Sequence, residues 1–493
     1  MVKPLFWLFA LTVALAPLPF GGNQPWAWSA IALTLGAIAC LWGFAAVFDR
    51  TLISSSTRLS LPYAAAFLVL ALWLALQAGH LLPRSLQHPA WQEMREALGV
   101  DVAGALALAP DRAWTALMRL MSYAAAFWLA LHLLRRRGLA DRFLWLLVAA
   151  GVAYAVYGLV VHLGDLKEVL WIDKYTYWES LTGTFINRNS YAAYAGIGLV
   201  VTVGLLLQQL RQTKQPAHLG WRGRLVHFLD HLGFGVWVLI AAFLVLLAAL
   251  LLTGSRGGLL ATLVGLVTVV FTVGGGGRKR LLLAVVLLAG LGGFVATQSG
   301  SLIEQRLGSV DKEMDLLTNA RLGLFRLTLD AIAQRPLAGT GLGSFPAIYA
   351  EQRGAESGVE PLNQVRVHDS YLEIALEAGV PAALLLFATL GTILVLQLRS
   401  LGRAGVERRF PGIAAAVTLL LAVHSLIDFP VQMPAIAVTY AAMAGMGLAQ
   451  SVPHRRPPKS AEAAAERPWR GRSFSSERRS SSRHESAGQR RSR

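Results

Sequence analysis

The sequence has a single cysteine, Cys40, among 493 residues. One cysteine cannot form a disulfide within the chain, and it excludes a metal site built from several thiolates. The sequence also has no Asp-x-Asp motif, no HExxH motif and no phosphate-binding loop that carries a lysine. These absences argue against a metal-bound nucleotide sugar and against P-loop nucleotide chemistry. We therefore expect neither a metal ion nor a cofactor.

Charged residues are also scarce. They make up 15% of the chain, whereas 55% of the residues are hydrophobic and the mean hydropathy is +0.51. A soluble enzyme with one core does not have this composition. It predicts an all-α polytopic membrane protein, in which every spanning segment is a helix because the bilayer offers no partners to the backbone.

The sequence contains twelve apolar runs of about 16 to 28 residues, long enough to cross a bilayer core. The runs are 5–20, 26–48, 61–79, 114–134, 142–163, 189–208, 233–252, 257–274, 281–298, 370–397, 412–427 and 435–450. We interpret the first run as a retained span, with a signal anchor as the alternative. About twelve transmembrane helices are therefore predicted.

The longest polar interruption between these runs is residues 299–369, and it predicts one large loop. Within it, residues 313–334 show the spacing of an amphipathic helix that ends at Arg335-Pro336. The chain then divides into nine N-terminal spans (1–298), the loop (299–369), three C-terminal spans (370–450) and a tail (451–493).

Lysine and arginine concentrate in alternate loops. The short loops 21–25 and 429–434 contain none, whereas the loops on the other side each contain several. By the positive-inside rule both chain ends are cytoplasmic and the large loop is on the outer side. Much of the net charge of +17 is therefore a signal of topology and does not require a nucleic-acid partner.

The tail from Ser451 contributes +8 of that charge and is rich in Ser, Arg and Pro. Such a segment cannot bury enough apolar surface to fold. We expect a disordered basic cytoplasmic tail that rests on anionic membrane lipids, with RNA binding as the alternative.

Four polar residues fall at one depth on the outer face: Arg188, Arg256, His368 and Asp428. Each has a purely structural alternative. Arg188 could belong to a helix start capped by Asn187, Arg256 could reach the interface or pair with Asp428, and His368 could cap or anchor a helix.

Together these residues predict a site for a lipid diphosphate with one proton transfer. Arginine near hydrocarbon is costly without an anionic partner, and its planar fork suits a phosphate. Arg188 and Arg256 would stabilise the diphosphate as it leaves. His368 would take the proton from an incoming hydroxyl, a role that suits an imidazole near neutral pH.

Several motifs resemble the O-antigen ligase / Wzy polymerase family. They are Pro19-Phe-Gly-Gly-Asn-Gln-Pro-Trp, Gly183-Thr-Phe-Ile-Asn-Arg-Asn, Thr253-Gly-Ser-Arg-Gly-Gly-Leu, Pro336-Leu-Ala-Gly-Thr-Gly-Leu-Gly-Ser-Phe, His368-Asp-Ser-Tyr-Leu-Glu-Ile-Ala-Leu-Glu-Ala-Gly and His424-Ser-Leu-Ile-Asp-Phe-Pro. The resemblance covers nearly the whole chain except the tail. It implies a bacterial inner-membrane glycosyltransferase of the GT-C type.

The resemblance also implies the substrates and the roles. The donor glycan is carried on undecaprenyl diphosphate and is transferred at the periplasmic face, with inversion and without a nucleotide sugar or metal. His368 takes the place of the presumed base, and Arg188 and Arg256 those of arginines near the diphosphate. Asp428 matches a late acidic position. Tyr371 belongs to the histidine motif, either with a role in the site or for packing.

Three functions stay open from the sequence. A ligase would transfer a finished polymer to a lipid A core, and a polymerase would join repeat units on the same carrier, a growing glycan being the acceptor. A transporter of a small anion is the third possibility. It is disfavoured because the chain has no internal repeat and the charges cluster at the outer surface.

Overall fold

The structure, a computed structural model, describes residues 2–53, 57–212, 233–274, 310–352 and 366–453, together with the single residues 220, 222 and 277. In the segment from 310, side chains are described from residue 322 onward. The chain up to Pro453 is one compact unit. The predicted span 281–298, part of the predicted loop and nearly all of the predicted tail lie outside the described residues.

Fifteen α-helices occur in the described part of the chain. They are α1 Val2–Leu15, α2 Pro25–Phe48, α3 Thr57–Ala78, α4 Ala90–Leu98, α5 Pro110–Leu133, α6 Arg137–Leu163, α7 Arg188–Gln212, α8 Phe234–Leu252, α9 Arg256–Val273, α10 Val310–Gln334, α11 Phe345–Gln352, α12 Ser370–Ala378, α13 Val380–Ser400, α14 Arg409–His424 and α15 Pro434–Gln450. The architecture is therefore that of a mostly helical polytopic membrane protein.

Eight of the described helices are long and apolar enough to cross a membrane: α2, α3, α5, α6, α7, α8, α9 and α13. The first predicted span, 5–20, is shorter than expected, because α1 ends at Leu15. Pro17 and Pro19 follow at once, and proline cannot donate the hydrogen bond that would continue the helix. α14 is a second short apolar helix.

The predicted span 370–397 is two helices rather than one, so that boundary was wrong. Gly379 separates α12 from α13 with a φ of 88°, which glycine adopts without strain. A Cβ at this position would overlap the carbonyl oxygen of Leu337, and the Val380 N–H donates to the carbonyl of Pro336 at 2.8 Å. The loop after α10 therefore occupies the break, and α13 alone is long enough to span.

A small antiparallel ribbon joins α6 to α7, which the all-α prediction did not include. Its strands are β1 Glu168–Val169 and β2 Ile172–Asp173, and Val169 pairs with Ile172. Val169 is buried with Phe20 and Ile186 in a small apolar cluster. The ribbon therefore anchors the segment that leads into α7.

α7 lies at the centre of the bundle, in contact with α6, α8, α9 and α14. Every residue from Ser190 to Leu205 is buried. Glycines permit the close approach: a Cβ at Gly196 would overlap the side-chain oxygen of Thr262 in α9. Because α7 is held on all sides, the position of its first residue is fixed by the core.

Candidate active site

Arg188 is the first residue of α7, and the residue before it caps the helix. The side-chain oxygen of Asn187 accepts hydrogen bonds from the backbone N–H groups of Asn189 at 2.9 Å and Ser190 at 3.0 Å. The capped helix start that was the alternative for Arg188 is therefore present. It uses the Asn187 side chain and the backbone, so it leaves the Arg188 guanidinium group for another partner.

The guanidinium group of Arg188 has neutral neighbours. It lies 5.2 Å from the ring centroid of Tyr177, and Nη1 is 3.4 Å from Oγ of Ser180. Its Nε is buried without a hydrogen-bond acceptor, and no described carboxylate is within ion-pair distance. A half-buried cation without a matching anion is suited to an anion that comes from outside the chain.

Arg256 begins α9 in the tight turn after α8. Gly254 has a φ of 63°, and Oγ of Ser255 accepts a hydrogen bond from the N–H of Gly258, so this helix start is capped too. The Arg256 side chain is exposed and forms no ion pair with a described carboxylate. The pairing of Arg256 with Asp428, one of the alternatives, therefore does not occur.

The two arginine sites adjoin. A Cβ at Gly254 would lie 3.7 Å from Nη1 of Arg188, so the Arg188 side chain reaches the turn that carries Arg256. Both residues stand at helix N-termini, where partial positive charge of the backbone also favours an anion. The turn and the Arg188 side chain together form a basic patch with a bare glycine backbone between them.

His368 lies two residues before α12 in strained backbone. Its φ is 61°, a left-handed conformation that a non-glycine residue rarely adopts and that recurs at functional sites. The next residue, Asp369, caps α12 by accepting from the N–H groups of Tyr371 at 2.8 Å and Leu372 at 2.9 Å. Asp369 performs the capping, so the helix-cap alternative for His368 does not hold.

The ring of His368 faces a buried carboxylate. Nδ1 of His368 is 3.4 Å from Oδ1 of Asp428, close enough for an ion pair but too far for a well-formed hydrogen bond. Asp428 is 4% exposed, and its Oδ1 also accepts from the N–H of Phe429 at 2.9 Å. Because Nδ1 faces the carboxylate, Nε2 is the nitrogen left to take a proton.

Asp428 is held in its ionised form. Burial acts to raise the pKa of Asp428, but the contact with His368 and the nearby His424 outweigh it, and the pKa lies below its ordinary value. The carboxylate therefore stays charged at neutral pH. It can fix the orientation of the imidazole and stabilise the imidazolium that proton uptake would create.

The His368–Asp428 pair meets the start of α9. Ser370 donates its N–H to the carbonyl of Ser425 at 2.9 Å, which joins α12 to the end of α14. A Cβ at Gly257 would overlap Ile427, so the residue next to Arg256 packs against the residue next to Asp428. The glycines on either side of Arg256 thus approach Arg188 and the segment that carries Asp428, and Asp428 contacts His368.

Tyr371, the remaining predicted residue, ties helices together. Its hydroxyl donates to the carbonyl of Ala422 at 2.9 Å, and its ring lies 4.8 Å from that of Phe387. These contacts favour the packing interpretation over a role in the site.

A second charged cluster lies beside His368, and the sequence analysis did not predict it. Nη1 of Arg366 is 2.7 Å from Oε1 of Glu373, and the N–H of Val367 donates to Oε2 of the same carboxylate at 3.0 Å. One turn further along α12, Glu377 accepts from the N–H of Phe345 at 3.1 Å. Two glutamates four residues apart in an apolar segment were the available signal.

A cavity of about 460 Å³ opens beside this cluster, lined by residues of α2, α3, α5, α11, α12 and α13. Arg366 and Glu377 line it together with Arg119 of α5. Arg119 lies inside the predicted span 114–134, and a charged residue within an apolar run is a sequence signal for a functional residue. In the described part of the chain, no group of three or more His, Cys, Asp or Glu side chains could hold a metal ion.

Comparison with known proteins adds to this geometry. Residues 241–387 match the family model described as O-antigen ligase. This segment, less than a third of the chain, is similar to the O-antigen ligase family. The matched segment contains Arg256 and His368, whereas Arg188 and Asp428 lie outside it. Curated proteins give no match to the chain.

Proposed function

We propose that the chain is an inner-membrane glycosyltransferase that moves a glycan from undecaprenyl diphosphate to an acceptor hydroxyl. The proposal rests on a family match and on the arrangement of the site residues, taken together. The matched segment contains Arg256 and His368. His368 contacts Asp428, and the turn that carries Arg256 lies between Arg188 and the segment that carries Asp428. An anion site and a base with its carboxylate partner are the groups that this transfer needs.

In the proposed step, Nε2 of His368 removes the proton from the acceptor hydroxyl. The acceptor oxygen forms a bond to the anomeric carbon as the bond from that carbon to the diphosphate oxygen breaks, with inversion. The electron pair leaves with undecaprenyl diphosphate. Asp428 stabilises the imidazolium, and the proton is released from it afterwards.

The arginines have the second role. As the glycosidic bond breaks, negative charge grows on the diphosphate, and guanidinium groups at Arg188 and Arg256 would meet it with paired hydrogen bonds. Neither guanidinium forms an ion pair with a described carboxylate, so no such ion pair has to break when the lipid binds. The positive charge comes from side chains, and the proposed reaction therefore requires no metal.

The proposal includes the side of the membrane on which the site lies and the acceptor of the glycan. The positive-inside pattern supports cytoplasmic chain ends, and it supports a periplasmic location for the loop 299–369 and the four site residues. Transfer to a lipid A core would be ligase activity. Joining repeat units on a growing glycan would be polymerase activity, and it uses the same donor site, so the geometry favours neither.

The test is a strain in which the only copy of the gene encodes His368→Ala. We expect the protein to insert and accumulate normally but transfer no glycan, because the variant lacks the imidazole that the proposal makes the base. Gel analysis of lipopolysaccharide measures transfer, and immunoblotting of membranes measures accumulation. Normal surface glycan in this strain would exclude the base role.

The same gels identify the reaction. In a gene deletion, accumulated lipid-linked polymer with bare core indicates a ligase. Core that carries a single repeat unit indicates a polymerase. Unchanged lipopolysaccharide together with unchanged lipid-linked intermediates would contradict both.

A further inference from the structure

The cavity between α3, α5 and α13 is separate from the basic patch at Arg188 and Arg256, since neither of those arginines lines it. Its volume of about 460 Å³ is large enough for a lipid headgroup. The transferase reaction proposed above needs two substrates, and the donor diphosphate is assigned to the other site. The lining of the cavity indicates what it holds.

Arg119 is one of the charged groups that line the cavity. Its guanidinium carbon lies 3.9 Å from the ring centroid of Trp28, which holds the group in place by a cation–π contact. Its Nε is buried without a hydrogen-bond acceptor, and no described carboxylate forms an ion pair with it. A fixed, partly buried guanidinium without an anion is suited to a phosphate.

The other charged groups that face the cavity leave this charge uncompensated. Arg366 is matched by Glu373 at 2.7 Å. Asp111 and Arg112 are both exposed and offset each other. Burial, followed by the neighbouring Glu373, raises the pKa of Glu377 and favours its neutral acid. Arg119 is therefore the positive charge that remains for a ligand.

The rest of the lining is amphipathic. The side-chain oxygen of Gln432 is buried without a donor, which suits a sugar hydroxyl or another hydrogen-bond donor of a ligand. Leu70 and Leu74 of α3 and Leu386 of α13 also line the cavity and supply its apolar part. The outer faces of these two helices carry exposed apolar side chains, as at Leu72, which is 62% exposed, so this wall adjoins the membrane interior.

The cavity ends close to the base. The Arg366 guanidinium carbon is 6.0 Å from the ring centroid of Phe429, and the ring centroid of His368 is 5.2 Å from the same ring. Phe429 therefore lies near both Arg366, which lines the cavity, and His368. On its other side, His368 contacts Asp428, which leads to the Arg256 turn. The base lies between two basic sites.

We propose that this cavity is the acceptor site and binds a phosphorylated glycolipid, with Arg119 on a phosphate and the leucine wall on the acyl chains. The proposal rests on the proposed function, because that reaction is what calls for a second lipid next to His368. It makes Arg119 a binding residue that distinguishes the acceptor from the donor.

The test measures binding to the full-length protein in nanodiscs with four probes: lipid A with its phosphates, the same lipid A after removal of its phosphates, undecaprenyl diphosphate, and phosphatidylglycerol. Arg119→Ala should weaken binding of phosphorylated lipid A by about tenfold or more, the loss expected for a charge-assisted hydrogen-bonding pair. Arg188→Ala should instead weaken the binding of undecaprenyl diphosphate. Arg84→Ala, at an arginine that pairs with Asp101 on the surface, is the matched control.

Because Arg119→Ala removes the contact with Trp28, a second variant tests the same cavity. Leu386→Trp fills the apolar part of the cavity without removing a charge. This variant too should weaken the binding of lipid A but not the binding of undecaprenyl diphosphate. The inference is overturned if phosphate-free lipid A or phosphatidylglycerol binds as tightly as phosphorylated lipid A. It is also overturned if the cavity variants leave lipid A binding unchanged or reduce undecaprenyl diphosphate binding equally.

The two proposals fail differently. If the parent protein does not bind undecaprenyl diphosphate, the transferase proposal fails even when lipid A binds with the predicted dependence on Arg119. If undecaprenyl diphosphate binds and depends on Arg188 while lipid A does not bind, only the acceptor site is overturned.

Discussion

Replacing Asp428 with asparagine tests whether the carboxylate acts through His368. The substitution keeps the size of the side chain and an oxygen that can accept from the N–H of Phe429, but it removes the negative charge. The imidazolium formed during transfer then loses its counter-charge. We expect slower transfer with little loss of folded protein.

The expected magnitude follows from the separation of the two groups. Unit charges 3.4 Å apart attract by about 5 kcal/mol at an effective dielectric constant of 20. The His368 side chain is 23% exposed, so water screens part of this attraction. Half of it, about 2.4 kcal/mol, corresponds to roughly sixtyfold slower transfer. This loss lies just below the range of about 100- to 10,000-fold that is typical of general-base catalysis.

The assay is single-turnover transfer by purified protein from undecaprenyl-diphosphate-linked glycan to lipid A core, followed on gels. Asp369→Asn is the matched control: the same change one residue from His368, at a helix cap where asparagine serves as well as aspartate. It should transfer within about threefold of the parent rate. Should Asp428→Asn match that control, the carboxylate has no part in the reaction.

Three further predictions follow from other contacts. Arg256→Lys should slow transfer about ten- to hundredfold, because a point charge cannot replace a planar fork on a diphosphate, and the single-turnover assay measures this against Arg84→Lys; equal rates would favour an arginine that only reaches the interface. Burial raises the pKa of Glu377 to about 8, so its contribution to stability is present below its ordinary value of 4.5 and is lost as the pH rises through the folded-state value. Glu377→Gln should therefore unfold at a higher temperature than the parent at pH 9 but not at pH 5, and parallel pH curves would contradict this. A Cβ at Gly445 would overlap the backbone oxygen of Phe127, so Gly445→Ala should destabilise the packing of α5 on α15 by roughly 1–3 kcal/mol, whereas Gly43→Ala, where a Cβ meets nothing within 4 Å, should not; thermal unfolding in detergent compares the two.

Much of the site was predictable because its residues carry their own signals. Arginine and histidine at the ends of apolar runs are costly unless they have a function, and this cost is visible without coordinates. Arg188, Arg256, His368 and Asp428 were predicted in this way, and in the structure the turn that carries Arg256 lies between Arg188 and the segment that carries Asp428. Arg119 carried the same signal inside the run 114–134, but the sequence shows neither its contact with Trp28 nor the absence of a described carboxylate beside it.

The sequence by itself determined the helical membrane class. The lengths of apolar runs and the placement of positive charge are local properties, and they set how a chain inserts into a bilayer. The tertiary structure alone decided the break at Gly379, the pairing of His368 with Asp428, and the cavity beside Arg119. Each of these depends on groups far apart in the chain: Leu337 fills the break, Asp428 follows the end of α14, and six helices contribute residues to the cavity lining. Packing between distant segments sets such contacts, and no local pattern encodes them.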